Sequence, residues 1–196
     1  MRELFVARHG ESEYSVRQLV NGDPGVSCPL TELGRLQARA LGEALAFEPI
    51  DLCVVTEFER VRETAELALE GRDIPFLVIP ELNDPRYGEF EGGSLDAYRE
   101  WVWERGALDA PPGGEHRGEI ASRYARGLRV LLERPEELVL LVAHSLPIAY
   151  LRDAAVGTAP RSRMDMIEYA QVLRLESGEL ERAIQVLEKW VAAPAF

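Results

Sequence analysis

Lysine occurs once in this chain, as Lys189 near the carboxyl end. Its absence from every earlier position rules out the P-loop and protein-kinase mechanisms, whose motifs place a lysine on the phosphates, and Schiff-base chemistry anywhere upstream. Cysteine is nearly as scarce: Cys53 lies inside the apolar run Leu52 to Val55 and Cys28 in a loop, so no disulfide framework or metal-ligand spacing is present. No apolar stretch reaches the length of a membrane span. Nor does any basic stripe offset the net charge of −12, which argues against nucleic acid and anionic membranes as partners. The first strand begins almost at the amino terminus and leaves no room for a signal peptide, so a cytoplasmic protein is expected. Histidine occurs three times, at His9, His116 and His144. Their positions are informative.

Leu4 to Glu11 reads LFVARHGE: an apolar run long enough for a buried strand stops abruptly at Arg8, His9 and Gly10. Leu138 to Ser145 (LVLLVAHS) repeats the design and ends on His144. Open α/β sheets bind ligands beyond the carboxyl ends of their strands, so two imidazoles at two strand exits point to one site. A glycine after His9 lets the backbone approach a ligand closely. A chain this acidic repels an anionic substrate as a whole and must capture it with a local cluster of cations, which here means arginine. The expected cluster is Arg8 with Arg60, converging with His9 and His144 on a phosphoryl group.

In chain order, Glu11 to Pro29 is a long polar loop over the site. Thr31 caps a helix whose predicted apolar stripe is Leu33, Leu36, Ala40, Leu41, Ala44 and Leu45. Asp51 to Thr56 is the second strand and Phe58 to Leu69 a helix with Arg60 and Arg62 in its first turn. Arginine there opposes the helix dipole, and a bound anion is a physical reason for it at Arg60; Arg62 reads instead as a surface residue among glutamates. Ile74 to Ile79 is a third strand, and Glu81 to Gly93 (ELNDPRYGEFEGG) an irregular loop over the site. Helices follow over Leu95 to Glu104 and Glu115 to Glu133, the second with a core stripe at Ile120, Tyr124, Ala125, Leu128, Leu131 and Leu132. After the His144 strand a helix carries Pro147 in its first turn. Glu168 to Leu175 and Leu180 to Leu187 read as a hairpin of strands, the second equally readable as a short helix. Alternating strands and helices without a linker predict one domain over residues 1–196 with a three-layer α/β/α sandwich architecture.

These stretches resemble a family. RHGES at Arg8 to Ser12, PLTELGRLQA at Pro29 to Ala38, TEFERVRETA at Thr56 to Ala65, GEFEG at Gly88 to Gly92, PPGGE at Pro111 to Glu115 and VAHS at Val142 to Ser145 are similar, in order, to the motifs of the histidine phosphatase superfamily, the phosphoglycerate-mutase-like proteins. The resemblance implies that His9 is a nucleophile that becomes phosphorylated. It places Arg8, Arg60 and His144 around the phosphoryl group and Asp84 where the family has a glutamate proton donor, with Glu89 and Glu91 as alternatives. Guanidinium forks suit the geometry of phosphate oxygens better than a lysine point charge, and no metal or cofactor is required.

The chain also departs from the pattern. Ser15 stands for the family's asparagine, so Ser15 and Asn21 are the expected additional phosphate ligands. Thr56 replaces a serine, Ser145 a glycine, and His116 a serine at the substrate rim, where it reads more simply as a surface residue. A phosphatase acting on a small phosphorylated metabolite through a phosphohistidine is favoured. A bisphosphoglycerate-dependent mutase is the runner-up, weakened by Tyr14-Ser15 where those mutases carry Trp-Asn; a non-catalytic anion-binding or regulatory member is the third reading. The chain is expected to be a monomer or homodimer, with the apolar tail Trp190 to Phe196 covering its own core.

Overall fold

The computed structural model describes residues 1–196. Five strands form one sheet in the order β3-β2-β4-β1-β5, namely β1 (Glu3–Arg8), β2 (Leu52–Val55), β3 (Phe76–Val78), β4 (Leu138–Ala143) and β5 (Val172–Glu176). All pairs are parallel except β1 with β5. The helices are α1 (Glu13–Val16), α2 (Glu32–Ala44), α3 (Glu59–Ala68), α4 (Leu95–Trp103), α5 (Arg117–Leu132), α6 (Ser145–Ala155) and α7 (Ser177–Val191).

The central strands β1, β2 and β4 are apolar on both sides because both of their faces are covered. Phe5, Ala7, Cys53, Val55, Leu140 and Val142 point towards α2 and α3, where they meet Leu41, Val61 and Ala65. The alternate residues Leu4, Val6, Val54, Val139 and Leu141 meet Ile120 and Leu128 of α5, Ile148 of α6 and Ile184 of α7. Period-two alternation between two apolar layers yields the expected three-layer α/β/α sandwich. Trp190 closes the second layer, and the tail folds back on it: the Trp190 indole donates to the Ala195 carbonyl at 3.2 Å. No helix is long and apolar enough to cross a membrane.

Two local expectations are corrected. On α2, Leu33 and Leu36 are exposed, as are Ala40 and Ala44, and the buried line is Gly34, Ala38, Leu41 and Leu45. Small residues win this face because the helix start lies directly on the chain leaving β1: a Cβ on Gly34 would collide with the Glu11 carbonyl oxygen, and one on Gly10 with the Gly34 carbonyl oxygen. Gly34→Ala is therefore expected to lower stability, although alanine gains ~1 kcal/mol in helix propensity. The collision costs about 1–3 kcal/mol. A urea midpoint that stays put or rises would show that the two backbones can part.

The second correction concerns the carboxyl end. Only the first arm of the expected hairpin is a strand, β5, and Leu180 to Leu187 is helical within α7. Glu176 and Glu179 form a capping box across Ser177-Gly178, and Leu180, Ala183, Ile184 and Leu187 fall at the i, i+3, i+4, i+7 spacing of a buried helix face. The third strand also shrinks to Phe76–Val78, a half-exposed edge.

Candidate active site

Strand register brings the two histidines together. In the β1–β4 ladder Arg8 pairs with Ala143, so His9 and His144 are each the first residue past adjacent strands, and the His9 amide donates to the Ala143 carbonyl at 2.9 Å. The helix after β1 packs on one face of the sheet and the helix after β4 on the other. The gap between these strand ends is thus a topological switch point, where α/β sheets bind ligands. The two rings meet edge to face with centroids 5.5 Å apart.

The α3 helix supplies the cation. Phe58 caps it, lays its ring against His144 at 4.7 Å, and carries the Arg60 guanidinium 4.3 Å above its face. Arg60 is buried and its fork is fully engaged. Nε donates to His9 Nε2 at 3.3 Å, Nη1 to the Asn21 side-chain oxygen, and Nη2 to the Asn21 carbonyl, to Asp84 Oδ2 at 3.1 Å and to His144 Nδ1 at 3.3 Å. Thr64, one turn on, accepts from the Gly10 amide and donates to the Arg60 carbonyl, locking the turn after His9 to this helix. Arg62 faces solvent, as expected.

Hydrogen-bond partners set the ring tautomers. The Gly10 carbonyl can only accept, so His9 Nδ1, 2.7 Å away, carries the proton and the Nε2 lone pair faces the cleft. Arg60 can only donate, so His144 Nδ1 is the acceptor and Nε2 donates to the Thr56 hydroxyl at 2.9 Å. Both imidazoles are neutral. Burial first, then the charges of Arg60 and Arg8, hold their pKa values well below the usual histidine range. Burial acts oppositely on Asp84 and raises its carboxyl above the ordinary range, although Arg60 and Arg8 pull it down.

Of the three candidate acids only Asp84 reaches the histidines, with Oδ2 3.5 Å from His144 Nδ1. Glu91 accepts from the Gly22 amide and Glu89 faces solvent. The acid loop is held from behind by Arg123, which donates to the carbonyls of Glu81, Asn83 and Asp84 while pairing with the buried Glu115 of the PPGGE motif. Burial works to raise the Glu115 pKa, and the Arg123 and Arg86 contacts overcome it, leaving a carboxylate.

Asn21 and Ser15 are both in the cleft wall, but their polar groups are already partnered. Asn21 accepts from Arg60 and donates to the Asp23 carbonyl, and Ser15 shares a hydrogen bond with Ser12 at 2.9 Å. Asn21 therefore orients Arg60. His116 lies away from the cleft: its ring accepts from the Glu119 amide and caps α5. Arg8 donates to the Ile167 carbonyl at 2.8 Å, and its guanidinium stacks on Tyr169 at 3.8 Å.

With the geometry in view, comparison with known proteins is decisive. The sequence pattern of the histidine phosphatase superfamily (branch 1) matches residues 4–190. The chain belongs to that superfamily. An adenosylcobalamin/alpha-ribazole phosphatase of Salmonella typhimurium is 44% identical over 88 residues, a stretch that is 45% of this chain and 43% of that protein. The chain thus matches less than half the length of that relative. A 2,3-bisphosphoglycerate-dependent phosphoglycerate mutase of Gloeobacter violaceus is 34% identical over 95% of this chain and 84% of its own. The alpha-ribazole phosphatase of Shigella flexneri superposes with a TM-score of 0.76 at 27% identity, over 89% of this chain and 90% of that one. Together these findings support a phosphatase of the histidine phosphatase family.

Within this superfamily member, three features escaped the sequence reading. Ser145 uses its hydroxyl to accept from the Ile167 amide at 3.0 Å, so the residue that departs from the family glycine pins segment 164–169 over the cleft together with Arg8. Tyr169 lines the cleft beside His9, and no local pattern announced it. Arg117 also lines the cleft. It opens a helix as Arg60 does, so the same conflict with the helix dipole was a signal for it.

Proposed function

We propose that the chain is a phosphomonoesterase, acting as one cytoplasmic domain on a small phosphorylated metabolite through a phosphohistidine on His9. The observation that carries this reading is the state of His9: the Gly10 carbonyl fixes the Nδ1 hydrogen, which leaves the lone pair on Nε2, held only by a long 3.3 Å hydrogen bond from Arg60, in a cleft that Arg8 and Arg60 also line. In the first step Nε2 attacks phosphorus, the N–P bond forms, and the P–O bond to the alcohol breaks. Charge on the equatorial oxygens is met by the Arg8 and Arg60 guanidiniums, while neutral His144, whose only N–H goes to Thr56, accepts from Arg60 and helps to hold it in place. The leaving oxygen takes its proton from Asp84, whose burial keeps it protonated above the ordinary carboxyl range. A water then attacks the phosphohistidine, gives its proton to Asp84 and frees phosphate and neutral His9.

Phosphohistidine survives alkali, so quenching the protein in base during turnover of a radiolabelled ester is expected to leave label on the wild type and none on His9→Ala. Unlabelled wild type during rapid turnover would sink the covalent route. Asp84→Asn is expected to slow alkyl phosphates, whose leaving groups need a proton, by roughly 10²–10⁴-fold and to slow p-nitrophenyl phosphate far less. Because the Asp84 pKa is raised and the acid form is required, wild-type activity on alkyl esters falls as pH rises through that raised pKa. The asparagine variant loses this alkaline limb; equal loss on both ester types would remove Asp84 as donor.

The similarity to the Gloeobacter mutase over most of the chain favours mutase activity as a second reading. It requires interconversion of 2- and 3-phosphoglycerate stimulated by 2,3-bisphosphoglycerate.

A further inference from the structure

We propose that Arg117 binds a second anionic oxygen group of the substrate, at the far end of an apolar spacer, so that the preferred phosphomonoesters also carry a carboxylate or a second phosphate. The proposal rests on the phosphatase reading and deepens it.

Arg117 is buried, with 8% of its surface exposed, in the wall of the cleft that holds Arg8, His9 and Arg60. Unlike the other buried cations it has no partner of substance. Arg60 makes five hydrogen bonds, and Arg123 holds a carboxylate and three carbonyls. Arg8, whose Nε is likewise without a partner, has the Ile167 carbonyl at 2.8 Å and the Tyr169 ring. Arg117 has one long contact, Nη1 to the Tyr150 hydroxyl at 3.5 Å; its Nε has no partner and no carboxylate lies within ion-pair distance. A guanidinium offers five N–H donors and accepts nothing, so the deficit here is of acceptors.

Its setting raises the cost. Arg117 is the first residue of α5, a sixteen-residue helix whose positive end disfavours a cation. A buried charge without a counter-charge is expensive, and such groups are kept where a ligand completes them. The neighbouring side chains are also donor-rich: Tyr150 and Tyr98 present hydroxyls, and the Tyr124 hydroxyl, on a ring 5.9 Å from that of Tyr150, is buried without a partner. An anionic oxygen group supplies what all of these lack.

The phosphoryl group cannot be that ligand. It is claimed by His9, Arg8 and Arg60, and no hydrogen bond joins the Arg117 side chain to any of them. The rest of the cleft has apolar walls at Leu95, Trp103, Leu146 and Met164, interrupted by the polar side chains of Gln18, Arg99 and Asp165. A ligand reaching from His9 to Arg117 therefore presents phosphate, then an apolar body, then an anion.

The test uses three aryl phosphates with the same propyl tail, ending in a carboxylate, a primary amide or a second phosphate. Wild-type kcat/KM is expected to favour the anionic tails over the amide by about tenfold or more, the worth of one charge-assisted pair. The better of the two anionic tails identifies the group read. Arg117→Met is expected to bring the ratio of anionic to amide substrate close to unity, and Arg117→Lys to restore part of it. An equal kcat/KM for all tails in the wild type overturns the proposal without any variant. So does an unchanged ratio in Arg117→Met. Calorimetric binding of the same esters to His9→Ala reads the ratio without turnover. If no ester is hydrolysed the phosphatase reading falls, while the binding ratio still decides the role of Arg117.

Discussion

His9→Ala is expected to abolish ester hydrolysis, with kcat/KM reduced on the order of 10⁴-fold to 10⁶-fold, as for removal of other covalent nucleophiles. The loss is that large because no neighbour can substitute. His144, the neighbouring imidazole buried behind Arg60, has its Nε2 hydrogen committed to Thr56 and its Nδ1 lone pair facing Arg60 and Asp84. Asp84 is paired with Arg60. The variant keeps Arg8, Arg60 and His144, so it is expected to bind inorganic phosphate while failing to turn over. Steady-state assays with p-nitrophenyl phosphate and calorimetry with phosphate read the two properties separately. Wild-type rates from His9→Ala would show that another group attacks phosphorus.

Arg60→Lys is the second large effect, a fall of roughly 10²–10³ in kcat, or about 3–4 kcal/mol of transition-state stabilisation. Charge is conserved in this change; geometry is not. One planar fork currently touches His9, His144, Asn21 and Asp84 at once, and an ammonium on a flexible stem can satisfy only part of that set. Removing the charge altogether, in Arg60→Met, adds a titration signature. The Arg60 charge helps to hold the His9 pKa down, so its loss moves that pKa up. Attack requires neutral His9. The acid limb of kcat/KM, well below the ordinary histidine range in the wild type, is therefore expected to move to higher pH. An acid limb that does not move would mean that burial and Arg8 set the His9 pKa without Arg60.

The legible features of this chain are those encoded by local rules. The runs Leu4 to Ala7 and Leu138 to Ala143 are too continuously apolar for a half-exposed strand, and both prove to be covered on two faces. Thr31 caps α2 as its type suggests, accepting from the Gly34 amide. Arg60 was visible because a cation in a first helical turn is locally unfavourable. Tertiary contacts govern the misreadings. The α2 stripe was assigned by hydrophobicity, which favours Leu33 and Leu36, whereas Gly10 and Gly34 bring two backbones so close that the start of the helix turns its small residues Gly34 and Ala38 inward, ahead of Leu41 and Leu45. The second hairpin arm was equally readable as strand or helix because Ser-Gly marks a turn by composition; it serves here as the start of a capped helix.

The same division holds for the chemistry. Residue type and strand-end position were enough to select His9, His144, Arg8 and Arg60, since a buried run that stops at an imidazole or guanidinium puts it at the carboxyl edge of a sheet. Which acid faces them was open among Asp84, Glu89 and Glu91 until the acid loop was seen folded on Arg123 and Glu115. The His144 tautomer, the support that Asn21 lends to Arg60, and the buried state of Arg117 depend on groups far apart along the chain. Hydrogen-bond saturation and burial are properties of a folded neighbourhood. No window of sequence contains them.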